Sequence, residues 1–172
     1  MLNLFKMKNI TIFLGIFFAL AASRFIPHPP NFTSLLALSF YVPALLGVRY
    51  LPALLISFFI TDLVIGYHSG THWTWGSVFL IGLLAHFFAS NIKLRLTGAM
   101  LGACIFFLIT NFGVWTSGMY GYTLAGFWEC YVLAIPFFGN SLASTFIFST
   151  IIEMCFYFNK NLLVKIMQIK KS

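Results

Sequence analysis

Long apolar runs separated by short polar interruptions set the pattern of the chain. The runs cover about 10–26, 33–48, 51–66, 75–90, 96–115 and 138–158. The first reaches about 17 residues, close to the minimum for a membrane span. Together they predict an all-α bundle of six transmembrane helices. The sharpest interruption is Ser23 to Thr33, which holds Arg24, His28, Asn31 and three of the six prolines. A rigid polar segment at a membrane boundary costs desolvation unless something satisfies or uses it. It is therefore expected to form one lip of a ligand site.

The other interruptions are shorter. Arg49-Tyr50 predicts a tight turn, and Pro52 fits the first turn of the helix after it. Pro43 predicts a kink in the second run. Tyr67 to Trp75 reads as a polar, aromatic loop, expected to act as a mobile lid over His68–Trp75. Asn91 to Arg95 reads as a basic turn, and Thr116 to Thr123 as a Gly/Ser/Tyr loop. Pro136 and Gly139-Asn140 divide the last apolar stretch into a short helix, 124–135, and the final span, 138–158. The tail, 160–172, is basic and amphipathic and suits the surface of an anionic leaflet. Ala19-Leu20-Ala21 resembles a cleavage site, but the run leads straight into the proline segment and reads as a retained helix.

Composition settles the setting. Apolar residues make up 60% of the 172, and charged ones only 8%. Soluble domains carry about 25% charged residues, so the expectation is one integral membrane domain spanning 1–172. The net charge of +7 then points to Lys and Arg on cytoplasmic loops rather than to nucleic acid. With the N-terminus inside, six spans place Lys6, Lys8, Arg49, Lys93, Arg95, Lys160, Lys165, Lys170 and Lys171 inside, and only Arg24 outside. Trp73, Trp75, Trp115 and Trp128 fall on the outer half, as an interfacial belt or as walls of a site. Cys104, Cys130 and Cys155 form no CxxC pair and indicate neither a disulfide framework nor zinc.

The unusual polar residues gather on the outer side, and the expected substrate-binding set is Arg24, His28, Asn31, Asp62, His68, His72, Trp73, Asn111, Trp115, Tyr120, Glu129 and Asn140. Asp62 is the only aspartate and lies about one turn inside the membrane edge, where a carboxylate needs a partner. Arg24 is the one cation at similar depth. The two form a structural pair, or face a ligand, or do both. His68 and His72 stand four apart but lack a third ligand, so no metal is expected. They bond a ligand from a gating loop or are simply solvated. Asn111 either bonds a neighbouring helix or reads a ligand's polar edge. Trp115 and Tyr120 offer flat surface for an aromatic ring. Glu129 lines a cavity beside the break at Pro136 or lies on the surface. His86 is expected to bond between helices, and Glu153 to pair with a basic residue near the inner boundary. Gly15, Ala19 and Ser23 on the first run, and Gly98, Ala99, Gly102 and Ala103 on the fifth, form small-residue stripes for close helix packing or for docking a partner. No nucleophile–His–acid set, HExxH, GxSxG or Walker A motif is present, so neither enzymatic activity nor a cofactor is expected.

Four segments carry a resemblance: Arg24 to Thr33, Thr61 to His68, Thr110 to Trp115, and Cys130 to Asn140. They resemble the signature segments of an uncharacterised bacterial membrane family (DUF6580-like). That family is in turn similar to the substrate-binding S component of energy-coupling factor (ECF) vitamin transporters. The resemblance covers roughly 10–158. It implies a multi-pass protein of the bacterial cytoplasmic membrane that captures a vitamin or related small molecule from outside. A separate coupling subunit and ATPases would energise uptake. The partner-docking stripe it implies is matched most nearly by Gly15, Ala19 and Ser23, although the usual alanine pair is absent. Two other readings compete. One is a structural scaffold similar to the rod-shape protein MreD, which needs no polar cavity. The other is a small haem- or metal-binding protein, which needs paired histidines on facing helices.

Overall fold

The computed structural model describes residues 2–67 and 70–169, with side-chain surroundings for 9–67 and 70–158. His68 therefore lies outside the described residues, as do the side chains of Lys6, Lys8 and the basic tail. The described chain is all-helical: α1 Leu2–Phe25, α2 Leu35–Tyr41, α3 Leu51–Ile65, α4 Thr71–Leu84, α5 Ile92–Thr116, α6 Leu124–Leu133 and α7 Ile135–Ile169. Three segments are long and apolar enough to cross a membrane: Val48–Ile65, Ile92–Thr116 and Ile135–Phe158. Shorter apolar helices run over Asn9–Phe25, Leu35–Leu46 and Leu124–Leu133.

The helix boundaries follow from local chemistry. Asn91 caps α5, its Oδ1 accepting from the Leu94 amide at 3.0 Å, and Thr123 caps α6 through the Gly126 amide at 3.1 Å. Asn91 to Arg95 is thus the cap and first turn of α5 rather than a free turn. The second apolar run is not one plain helix. Pro43 lacks the N–H that an α-helix needs there, and the chain widens into a π turn over Val42–Leu46 before Gly47, at φ 97°, ends it. The fourth run starts earlier than its apolar pattern suggests, so His72 and Trp73 occupy the first turn of α4 rather than a loop. The last stretch divides beside Pro136 as expected, with α6 ending at Leu133 and α7 starting at Ile135, but it is not broken at Gly139-Asn140. Pro136 is the second residue of α7, where a missing N–H leaves nothing unsatisfied. α7 then continues through the position where a separate tail was expected.

α2 is the axis of the bundle. All seven of its residues are buried, and it packs against α4, α5 and α7. Its Leu35 and Leu38 join Ile16, Leu20, Leu54 and Val78 in one apolar cluster. Its Leu36, Phe40 and Tyr41 join Ile81, Ala99 and Ala103 in a second. The α5 stripe is spent on this packing, because a Cβ on Gly98 would stand 2.5 Å from the Phe40 ring. Outside, Phe18, Leu63, Val64 and Phe87 are among many large apolar side chains more than 60% exposed. A water-soluble protein rarely shows so continuous an apolar exterior, which suggests a membrane setting.

Candidate functional site

One end of the bundle gathers the C-terminal ends of α1 and α3, the N-terminal ends of α2, α4 and α7, and the second half of α5. Here Arg24 and Asp62 form a mostly buried ion pair, Nη2 to Oδ1 at 2.6 Å. The other carboxylate oxygen of Asp62 accepts from Trp75 Nε1 at 2.6 Å. Arg24 Nη1 also donates to Thr61 Oγ1, and its guanidinium lies 4.7 Å from the centre of the Phe58 ring. Arg24 is thus held by three groups of α3, and Asp62 by one group each from α1 and α4, which offsets the cost of desolvating the two charges.

The proline segment closes over this pair and is tied down on both flanks. Ser34 N donates to Ser23 Oγ at 3.0 Å. Asn140 Nδ2 donates to Pro30 O at 3.0 Å, and Ser144 Oγ to Asn31 O at 3.4 Å. Asn31 is the only described non-glycine residue at positive φ, 61°, a conformation asparagine tolerates better than most residues. His28 faces carbonyls with both ring nitrogens, Pro29 O at 2.7 Å and Arg24 O at 3.3 Å.

Beneath this lip lies a chamber of about 280 Å³, lined by Arg24, His28, Asn31, Thr33, Phe58, Asp62, Thr74, Phe106 and Ser141 among others. A second chamber of about 220 Å³ shares Asn31, Thr74, Phe106 and Ser141 with it. Phe107, Thr110, Asn111, Val114, Ala134, Phe137 and Phe138 complete the second chamber. The two form one divided cavity whose polar groups come from five helices and the lip.

The predicted site residues distribute unevenly over this cavity. Arg24, His28, Asn31 and Asp62 line the first chamber and Asn111 the second, while Asn140 pins the lip without lining either. His72 is exposed, its ring 5.4 Å from that of Trp73. Trp73 packs edge-on to Phe112 at 5.6 Å and against Gly113, where a Cβ would strike its indole. Trp115 packs at a tilt against Phe112 and edge-on to Phe127, and its buried Nε1 has no hydrogen-bond partner among the described residues. The Tyr120 carbonyl presses on Gly126 in the α5–α6 turn. Glu129 is exposed on α6 and lines neither chamber. His86 bonds its own turn, Nδ1 to Leu83 O at 2.8 Å, rather than another helix. Gly15 and Ala19 border an apolar groove of about 350 Å³ with Ile12, Leu38, Val42 and Ile152. Ser23 is turned to Ser34 instead, the two hydroxyls 2.7 Å apart. Thr74, Thr110 and Ser141 were not singled out as site residues from the sequence, because a lone hydroxyl on an apolar helix carries no periodic signal, and Thr33 was read only as the end of the lip segment.

At the opposite end, Arg95 and Glu153 form a second buried pair, Nε to Oε1 at 2.6 Å and Nη2 to Oε2 at 2.7 Å. Beside it opens a largely apolar cavity of about 660 Å³. Among the described residues, no group of three or more His, Cys, Asp or Glu side chains is placed to hold a metal ion.

These features define an all-helical, apolar bundle with a polar cavity at one end. The chain belongs to a family of unknown function (DUF6580), which matches residues 5–166. No curated protein and no solved structure matches it.

Proposed function

We propose that the protein is the substrate-binding subunit of a membrane uptake system for a vitamin-sized molecule. It would lie in the bacterial cytoplasmic membrane with six crossings and both termini inside. The divided cavity under the proline lip supports this reading most directly. The larger chamber alone approaches the lower end of the volume range of small-molecule sites, about 300 Å³ upwards, and the two together lie within it. They combine aromatic walls with a few polar groups, as such sites do. Every charge and amide that lines them lies at the end that the positive-inside pattern assigns to the outside.

The resemblance to S components of ECF transporters supplies the mechanism. The subunit captures the ligand from outside, and a separate coupling subunit with ATPases drives uptake. The apolar groove beside Gly15 and Ala19 is the face available for such a partner. The test is to purify the full chain from its native membrane and identify small molecules that co-purify. A retained vitamin-sized compound that raises the melting temperature on re-addition is the expected result. No retained compound, together with no thermal shift across a vitamin panel, would overturn the reading.

A further inference from the structure

Four polar groups of the second chamber, those that its helices supply, share a property that narrows the ligand. Thr110 Oγ1 lies 2.8 Å from Phe106 O, Thr74 Oγ1 2.7 Å from Thr71 O, and Ser141 Oγ 3.0 Å from Phe137 O. Asn111 Nδ2 lies 2.7 Å from Phe107 O. A carbonyl oxygen only accepts, so each of these groups gives a proton to its own helix. The three hydroxyls are left with lone pairs alone to turn towards the chamber. Asn111 is left with its carbonyl oxygen and one N–H. No charged side chain lines this chamber. In the adjoining one, Arg24 is occupied by Asp62 and Thr61. Phe107 and Phe138 stack at 4.5 Å between centroids, 26° from parallel, and provide a flat apolar wall.

Resting on the reading of this cavity as a ligand site, we propose that it takes a planar aromatic or heteroaromatic ring bearing N–H donors, neutral or cationic, and discriminates against carboxylates. The ring lies against the phenylalanines and its N–H groups reach the turned-out oxygens. A carboxylate in the same pose sets lone pair against lone pair. Each polar group left unpaired in a buried site lowers affinity by about tenfold or more.

Three near-isosteric probes separate the outcomes: benzamidine, benzamide and benzoate, titrated into the detergent-solubilised full chain and followed by ligand-observed NMR. Benzamidine is expected to bind saturably and at least about tenfold more tightly than benzoate. The double variant Thr110→Val/Ser141→Ala should weaken benzamidine severalfold. Both hydroxyls bond only carbonyls within their own helix, so their removal strands no donor, and the melting temperature should stay near that of the parent. Should the double variant melt low, the isosteric Thr110→Val alone carries the same comparison. Benzoate binding as tightly as benzamidine would overturn the ligand class while leaving the cavity in use. Benzamidine affinity unchanged by the variants would place the probe elsewhere and overturn the assignment. Binding by none of the three would likewise overturn the ligand class, and the co-purification experiment would still decide independently whether the cavity holds a ligand.

Discussion

The two ends of the bundle each bury one arginine against one carboxylate, and they use the pair differently. Arg95 and Glu153 meet in a two-pronged geometry, and Arg95 Nη1 also donates to Ala89 O at 3.1 Å, where the chain turns between α4 and α5. That pair clamps α5 to α7 and closes a turn. Arg24 and Asp62 meet through a single contact at 2.6 Å. Their remaining capacity goes to Thr61, Trp75 and the Phe58 ring, on α3 and α4. A saturated fork resists rearrangement. A single contact shared with Thr61 and Trp75 fixes the pair less tightly, and the Asp62 carboxylate keeps lone pairs on the wall of the cavity. An arginine–carboxylate pair thus serves as a two-pronged clamp beside an apolar cavity at one end and as part of a polar cavity wall at the other.

The strongest way to break this contrast is at the clamp. Glu153→Ala leaves a buried guanidinium unpaired and should cost about 3–5 kcal/mol. The expected result is loss of monodisperse protein on size-exclusion chromatography in detergent. Asp62→Ala should be milder, about 2 kcal/mol, because Arg24 keeps Thr61 and the Phe58 ring. It should instead abolish ligand retention and change the emission of Trp75, with Trp75→Phe as the fluorescence control. If Asp62→Ala proved as destabilising as Glu153→Ala, the two pairs would be equivalent and the contrast would fail.

Packing and lip variants sharpen it further. Gly98→Ala, three residues beyond Arg95, drives a methyl into Phe40 and should lower stability by about 1–3 kcal/mol in a thermal unfolding assay. Asn140→Leu removes one tether of the lip and should cost about 1 kcal/mol. Its larger effect should be faster ligand release, seen in dissociation kinetics. Gly15→Ala meets no atom within 4 Å and should shift stability by less than about 0.5 kcal/mol. If it disrupted uptake in cells without changing stability, the groove beside α1 would be a partner's seat.

The elements whose signal is local were legible in the sequence. The apolar runs marked the helices, and the concentration of Arg24, His28 and Asn31 marked the lip. The residues that define the second chamber were not, because Thr110 and Ser141 acquire meaning only when α5 and α7 face each other. His72 and Trp73 read as loop because polar, aromatic residues can also start a helix, and the residue at the N-cap of α4 is Gly70, which has no side chain to mark the start. The break expected at Gly139-Asn140 rested on residue type alone. Packing of the first turns of α7 against the lip, through Asn140 and Ser144, holds helix where composition suggested a gap. Pro43 was read correctly as a disturbance, but a π turn and a kink have the same sequence signature.

The burial of α2 on every side has a consequence for how the protein is made. Seven residues at about 1.5 Å each give a helix of roughly 10 Å, far short of the ~30 Å hydrocarbon core of a bilayer. On the six-crossing reading, even Leu35–Leu46, α2 with its π turn, falls short of that thickness as a straight segment and relies on the helices around it. It is synthesised before α4, α5 and α7, the helices that enclose it. On that reading the innermost piece of the bundle is not enclosed until its own walls have emerged from the ribosome.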